Sequence, residues 1–138
     1  MNTNKLGFSV RVRGDFDQLV EQTQALLKEE GFGLLTQIDV RATMKQKLDV
    51  EFRPYKILGV CNPPLAHRAL SLAPHIGLLL PCNVVADQVS PDLTEISFSD
   101  PLLMAALGEI PELEEVARDA RRRLERVAAL LESTSLEG

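Results

Sequence analysis

The 138-residue chain contains no tryptophan, one tyrosine and five phenylalanines. That supply of aromatic faces is too small for the stacking platforms on which single-stranded nucleic acids are held. Positive charge is also short: 15 Lys and Arg stand against 20 Asp and Glu, for a net charge of −5. Phosphate binding needs a basic face, so nucleic acid is not expected as a partner. Apolar runs such as GLLLP (77–81) fall far below the roughly 20 residues that span a bilayer, so no membrane partner is expected. The start, MNTNKLGFSV, has no basic segment leading into a long apolar one, hence no secretion signal is read. These features fit a bacterial-type cytoplasmic protein. Two cysteines cannot make a disulfide framework, and they do not form a C-x-x-C redox motif. A glycine-rich phosphate loop, a Ser-His-Asp order and a clear carboxylate pair are absent as well; Gly31-Phe32-Gly33 reads as a helix stop.

What is present is enough apolar material for one packed domain, 45% of the residues, in a chain of single-domain length. LGFSVRVR (6–13) alternates as a half-buried strand does, with Phe8, Val10 and Val12 on one face. Asp15 is placed to cap a helix, with Gln18 completing a capping box, Phe16, Leu19, Val20, Thr23, Leu26 and Leu27 forming its stripe, and Gly31 its stop. Leu34, Thr36, Ile38 and Val40 suggest a second strand with one buried side, and ATMKQKLD (42–49) one or two helical turns. YKILGVC (55–61), apolar on both faces, reads as a central strand covered on two sides. Asn62 can cap the helix after it, with Pro63 in its first turn and Pro74 at its end. CNVVADQV (82–89) and LTEISFS (93–99) make a hairpin around Ser90-Pro91-Asp92, followed by a loop, DPLLMAALGEI. The last helix starts at Pro111, and its stripe runs Leu113, Val116, Ala117, Ala120, Leu124, Val127, Ala128 and Leu131. The expectation is a single α+β domain over residues 1–138, with an ordered core over about 6–131 and a frayed STSLEG end. Its order is β-α-β-(α)-β-α-β-β-α, with a sheet of about five strands carrying helices on at least one face.

Chemistry concentrates where the chain writes Cys-Asn twice, at Cys61-Asn62 and Cys82-Asn83, each beside an apolar run. Cys61 precedes the N-terminus of a helix, where free N–H groups stabilise a thiolate or bind a small anion; free cysteines are also commonly buried as small hydrophobes. Asn62 is explained by capping alone, and Asn83 by a side-chain bond at the strand entry; together the amides and thiols would form a small polar pocket. His67 and His75 read more readily as solvated residues. Cys61, His67 and Cys82, with His75 or Asp100, lack the spacing of a zinc site, so no metal site is assigned and the cofactor is unknown. The arginines at 118, 121, 122, 123 and 126 alternate with glutamates and read as the polar face of a surface helix.

The runs YKILGVCNPPLAHRAL and GLLLPCNVV resemble the proteins grouped as domain of unknown function 302, small bacterial and archaeal domains. The likeness rests on Tyr55, Ile57, Leu58, Gly59, Cys61, Asn62 and Pro63, on Leu80, Pro81, Cys82, Asn83 and Val84, and on Asp100-Pro101. It covers roughly residues 6–131. Ala86 departs from the β-branched residue that relatives tend to carry there. The resemblance implies a compact α+β fold that commonly forms homodimers, with no established activity.

Three functional readings follow. The first is a cytoplasmic homodimeric domain binding a small ligand, an anion or a soft metal, at a site formed by Cys61, Asn62, His67, Cys82 and Asn83. The second is a thiol-dependent redox or detoxification enzyme, with Cys61 as nucleophile and Cys82 resolving. The third is an interaction module with inert, buried cysteines. The first requires the strands ending at Cys61 and beginning at Cys82 to be antiparallel neighbours, so that the two thiols converge. The Leu102-Leu103-Met104 segment is expected either to tuck against the sheet or to meet the partner of a dimer.

Overall fold

The structure, a computed structural model, describes residues 1–137. Its elements are β1 (Asn2–Thr3), β2 (Gly7–Arg13), α1 (Phe16–Glu29), β3 (Gly33–Asp39), α2 (Val40–Leu48), β4 (Tyr55–Cys61) and α3 (Pro63–Leu72). A 3-10 helix over Pro74–Leu79 comes next, then β5 (Cys82–Ser90), β6 (Leu93–Ser99), α4 (Leu102–Gly108) and α5 (Leu113–Glu137). The strands form one antiparallel sheet in the order β1-β2-β6-β5-β4-β3. Five of them are those expected; the sixth is the two-residue β1, paired with β2 through Asn2–Ser9 and Thr3–Phe8. At the other end of the chain α5 runs on to Glu137, through most of the STSLEG segment expected to fray, while Gly138 lies outside the described residues.

Strand alternation divides the sheet into two faces. Phe8, Val10 and Val12 of β2 share one face with Ile96 and Phe98 of β6, Val84 and Ala86 of β5, and Leu58 and Val60 of β4. All are buried, and Phe8 stacks on Phe98 with ring centroids 5.3 Å apart. Helices α1, α3 and α5 supply the other side of this core. Every member of the expected α5 stripe is buried, from Leu113 to Leu131, because i, i+3, i+4 spacing lines one helical face. In α1 the Asp15 side chain accepts from the backbone N–H of Gln18 at 3.1 Å. Buried Thr23 satisfies its hydroxyl within the helix, donating to the carbonyl of Leu19 at 2.7 Å. Gly31 (φ +88°) ends the helix, the conformation that glycine adopts without a Cβ penalty.

Three expectations are corrected. β4 is interior to the sheet, yet only Leu58, Gly59 and Val60 are buried, and Tyr55, Ile57 and Cys61 stay half-buried. β3 is the sheet edge and all seven of its residues are exposed, so Leu34, Thr36 and Ile38 face no core. The segment expected as a loop after Asp100 is helical. Asp100 accepts from the N–H of Leu102 at 2.9 Å, Met104 is buried, and α4 packs against α5. The apolar run Leu102-Leu103-Met104 is thereby tucked in, and it carries no argument for a partner.

The arginines of α5 do more than solvate a face. Arg121 donates to Asp100 at 2.5 Å and to Glu125 at 2.6 Å, tying α5 to the start of α4. Arg126 reaches Glu30 at 2.8 Å, and Arg123 donates to the Glu30 carbonyl at 3.1 Å, at the end of α1. Arg118 pairs with Glu114 along the helix, and Arg122 stays largely exposed.

Candidate functional site

The connection from β4 to β5 sets the site. Antiparallel neighbours require a link that leaves and returns at the same end of the sheet. Here α3 and the 3-10 helix make that excursion. Val60 pairs with Cys82 across the two strands, which places Cys61 diagonally beside Cys82. Paired Cα atoms lie about 5 Å apart and consecutive ones 3.8 Å, so these two Cα atoms are within roughly 9 Å. The convergence expected of the two thiols is therefore present.

Both cysteines line a cavity of ≈ 330 Å³ between α3, α5 and the ends of β4 and β5. Its origin lies in residue size. Ala66 and Ala69 on α3 and Ala120 on α5 all line the cavity, where larger side chains would fill it. Phe32, Leu65, Met104 and Val116 complete apolar walls, and Leu35 and Leu70, both exposed, stand at the rim. Of the lining side chains only Asn62 and the two thiols carry a polar donor. Burial pushes the Cys82 thiol up to about 11, with a smaller push from the charge of nearby Cys61. Burial therefore keeps the Cys82 thiol protonated near neutral pH.

Leu35 reaches this cavity because β3 is irregular. Its register against β4 shifts between Leu34 and Thr36, leaving Leu35 as the extra residue of a bulge that escapes strict alternation. Gly59 is the signature position whose role is steric. A Cβ there would come within 2.4 Å of the Thr36 hydroxyl and 3.0 Å of the Pro81 ring, just before Cys82.

The remaining expected site residues divide. Asn62 is at the cavity but is occupied as a tie between helices: it is buried, caps α3 by accepting from Leu65 N–H at 3.4 Å, and donates to the Glu30 carbonyl at 3.3 Å. With Arg123 on the same carbonyl, it closes the end of α1. Any Cβ on Gly31 would meet the Asn62 amide at 2.8 Å, so that position must remain small. Asn83 does not join the site. It is exposed, and it lines a shallow depression on the opposite sheet face with Tyr55, Asp87 and Glu95, while its N–H donates to the Ser99 hydroxyl at 3.2 Å. Strand alternation is the reason, since neighbours in sequence point to opposite faces. His67 and His75 are exposed and line no part of the cavity. Asp100 is committed to Arg121 and α4. Among the described residues no group of three or more His, Cys, Asp or Glu is placed to hold a metal ion, and no helix is long and apolar enough to cross a membrane.

Sequence reasoning missed most of the walls: Phe32, Leu35, Leu65, Ala66, Ala69, Met104, Val116 and Ala120. The alanines were visible as helix-face residues, but alanine is an ordinary helix former. Only the packing of α3 beside α5 turns small side chains into a void.

A sequence profile described as "Domain of unknown function DUF302" matches residues 8–131. Among solved structures, the chain is similar to an uncharacterized conserved protein of that description from Bacillus stearothermophilus. The two share 31% identity and superpose with a TM-score of 0.84, over 93% of this chain and 99% of the other. Among curated proteins nothing matches.

Proposed function

The chain belongs to the DUF302 family, and from its cavity we propose that it is a cytoplasmic binding domain for a small apolar molecule, acting as a homodimer. The observation that carries this reading is the ≈ 330 Å³ space walled by aliphatic and aromatic side chains, with the two thiols and Asn62 as its only polar donors. Ligand pockets commonly run from about 300 to 1,000 Å³ and are mostly apolar with a few convergent polar groups. At about 30 Å³ per non-hydrogen atom, taking the share of one water as the measure, the space suits roughly ten such atoms.

This narrows the ligand class expected from the sequence. A small anion is poorly served by a neutral Cys82 thiol and by helix N–H groups already capped by Asn62. A soft metal would find the two thiols and the Met104 thioether, but no His, Asp or Glu to complete the usual set. The resolving role of Cys82 in thiol chemistry is weakened as well, because a resolving group acts as the thiolate and burial disfavours that form there. An apolar molecule needs none of these.

The test uses indole as an apolar probe, titrated into the native protein and followed by NMR at the Met104 methyl group. Saturable shifts at Met104, lost in Ala66→Phe with the fold retained, are expected, whereas inorganic phosphate should give none. Unsaturable shifts, or shifts unchanged by Ala66→Phe, would reject the reading.

A further inference from the structure

Between Glu51 and Asp87 the chain has no Asp or Glu, although 20 acids are spread through the rest of it and leave a net charge of −5. At the centre of that interval α3 and the 3-10 helix make the excursion from β4 to β5. Its only full charge is Arg68, exposed and 3.9 Å from Glu115 of α5. What it shows to the outside is leucine. Leu78 is 86% exposed, the most of any large apolar residue among those described, and Leu70, Leu72 and Leu79 are 40%, 41% and 44% exposed. These side chains do not belong to a slack loop, because Ala69, Ala73 and Ile76 of the same segment are buried in the core. Scattered single leucines are normal on a surface, but a concentration of this kind marks a contact site.

The leucines border the mouth of the cavity. Leu70 stands at its rim and lies over the 3-10 helix, since a Cβ on Gly77 would be 3.8 Å from its Cδ2. Leu80 lines the cavity, and its Cα is no more than about 8 Å from that of Leu78, two residues back. We infer that this face docks on the surface of a neutral phospholipid bilayer, with the cavity mouth against the lipid. The inference rests on the reading of the cavity as a site for an apolar molecule, which concentrates in lipid rather than in water. A peripheral contact of this kind needs no spanning helix, only apolar side chains that reach the acyl boundary. Charge fixes the orientation: a carboxylate brought to a bilayer is desolvated at a cost, and residues 52–86 are the longest stretch without one. Charge also selects the lipid. An acidic chain whose one arginine here already faces Glu115 gains little from an anionic surface. Composition separates lipid from a protein partner. Hot spots of protein interfaces are rich in Trp, Tyr and Arg and poor in Leu, whereas residues 63–81 contain no Phe, Tyr or Trp and a single Arg.

The experiment is flotation of the full chain with phosphatidylcholine vesicles, without any ligand probe. Native protein should float, in molar salt as well as in dilute buffer. Leu78→Asp should raise the lipid concentration for half-binding by about tenfold or more. Leu78→Asp combined with Leu79→Asp should abolish flotation, and both variants should keep the native far-UV circular dichroism. Leu6→Asp, at a residue 75% exposed on the opposite sheet face, should float as the native protein does. In bicelles carrying nitroxide-labelled phosphatidylcholine, the methyl signals of Leu70 and Leu78 should broaden and those of Leu6 should not. Native protein that stays unfloated overturns the proposal, and if Leu78→Asp then halves the mass seen by light scattering, the face meets protein instead. Flotation that requires phosphatidylglycerol and disappears in molar salt overturns it, as does a Leu78→Asp variant that floats like the native chain. Ala66→Phe, which blocks the cavity, should still float, so failure of the ligand reading and failure of this one are separable.

Discussion

The helix-backed part of the sheet and the Gly33–Pro54 arm are built from similar local material. Each has strands with apolar side chains and a capped helix: Asp15 caps α1, and Asp39 caps α2 by accepting from Ala42 N–H at 2.9 Å. Their fates differ. On β2, Phe8, Val10 and Val12 are buried against α5, whereas on β3, Leu34, Leu35 and Ile38 are exposed. Local pattern is thus enough to specify the element, and position in the sheet decides whether the element has anything to bury against. β2 lies between β1 and β6 under the long α5, while β3 ends the sheet.

The comparison can be attacked from its strongest side first. Leu124 is fully buried mid-stripe on α5, and Leu124→Asp places an unpartnered charge in the core. It should cost upward of about 4 kcal/mol and leave the protein unfolded or insoluble, as read by circular dichroism and yield. A folded, soluble variant would mean that the helix-backed core is not what holds the chain together.

Gly59→Ala tests the seam between the two regions, where β4 meets β3 and Pro81. The added methyl has to displace the Thr36 hydroxyl and the Pro81 ring. A loss of about 1–3 kcal/mol in urea unfolding is expected, the usual range for overpacking. Asn62→Ala should cost somewhat less, about 0.5–2 kcal/mol, the range for a lost N-cap. Because Asn62 also closes the end of α1 at Glu30, the same variant should speed amide exchange around Gly31–Phe32. Exchange unchanged there would show that Arg123 alone suffices.

A pH series sharpens the account of the cavity. The Cys82 thiol is held up at about 11, above the ordinary value of 9. Between those values the folded chain keeps a proton that the unfolded chain loses. The contribution of this group to stability is therefore complete below about pH 9 and declines as pH rises toward 11. Urea midpoints should fall over that window in the native protein and fall less in Cys82→Ala. Alkylation of Cys82 should be slow at pH 8 and accelerate toward pH 11.

The smallest effects belong to surface positions. Arg122→Ala, at a side chain 69% exposed, should shift stability by less than about 0.5 kcal/mol. Leu48→Asp, at a residue 66% exposed, should do the same. A large loss there would show that the Leu48 side chain itself is packed.

Much of this fold was legible in the primary structure. Period-2 and period-3.6 patterns placed the five main strands, α1, α3 and α5, and the α5 stripe was read residue for residue. Capping at Asp15 and Asn62 was legible because the caps act within a few residues of themselves. The site was half legible. Proximity of the two cysteines follows from β4 and β5 being antiparallel neighbours, but strand alternation, which the Cys-Asn repeat does not announce, turns Asn83 away from Cys82. His67 was misplaced because nothing in a helical sequence tells which exposed face looks toward a cavity.

What the sequence determined by itself is local: the elements, their caps, and an acidic, aromatic-poor chain able to fill one core. These depend on neighbours a few residues away, and periodicity reports them directly. The cavity, the elevated Cys82 thiol and the exposed edge strand β3 were decided only by the tertiary structure. Each arises from residues far apart in the chain: alanines on α3 and α5 that line one cavity, a thiol buried at that same cavity, and a strand whose exposure is set by where the sheet ends. Void, dielectric and edge are properties of packing, and no window along the sequence contains them.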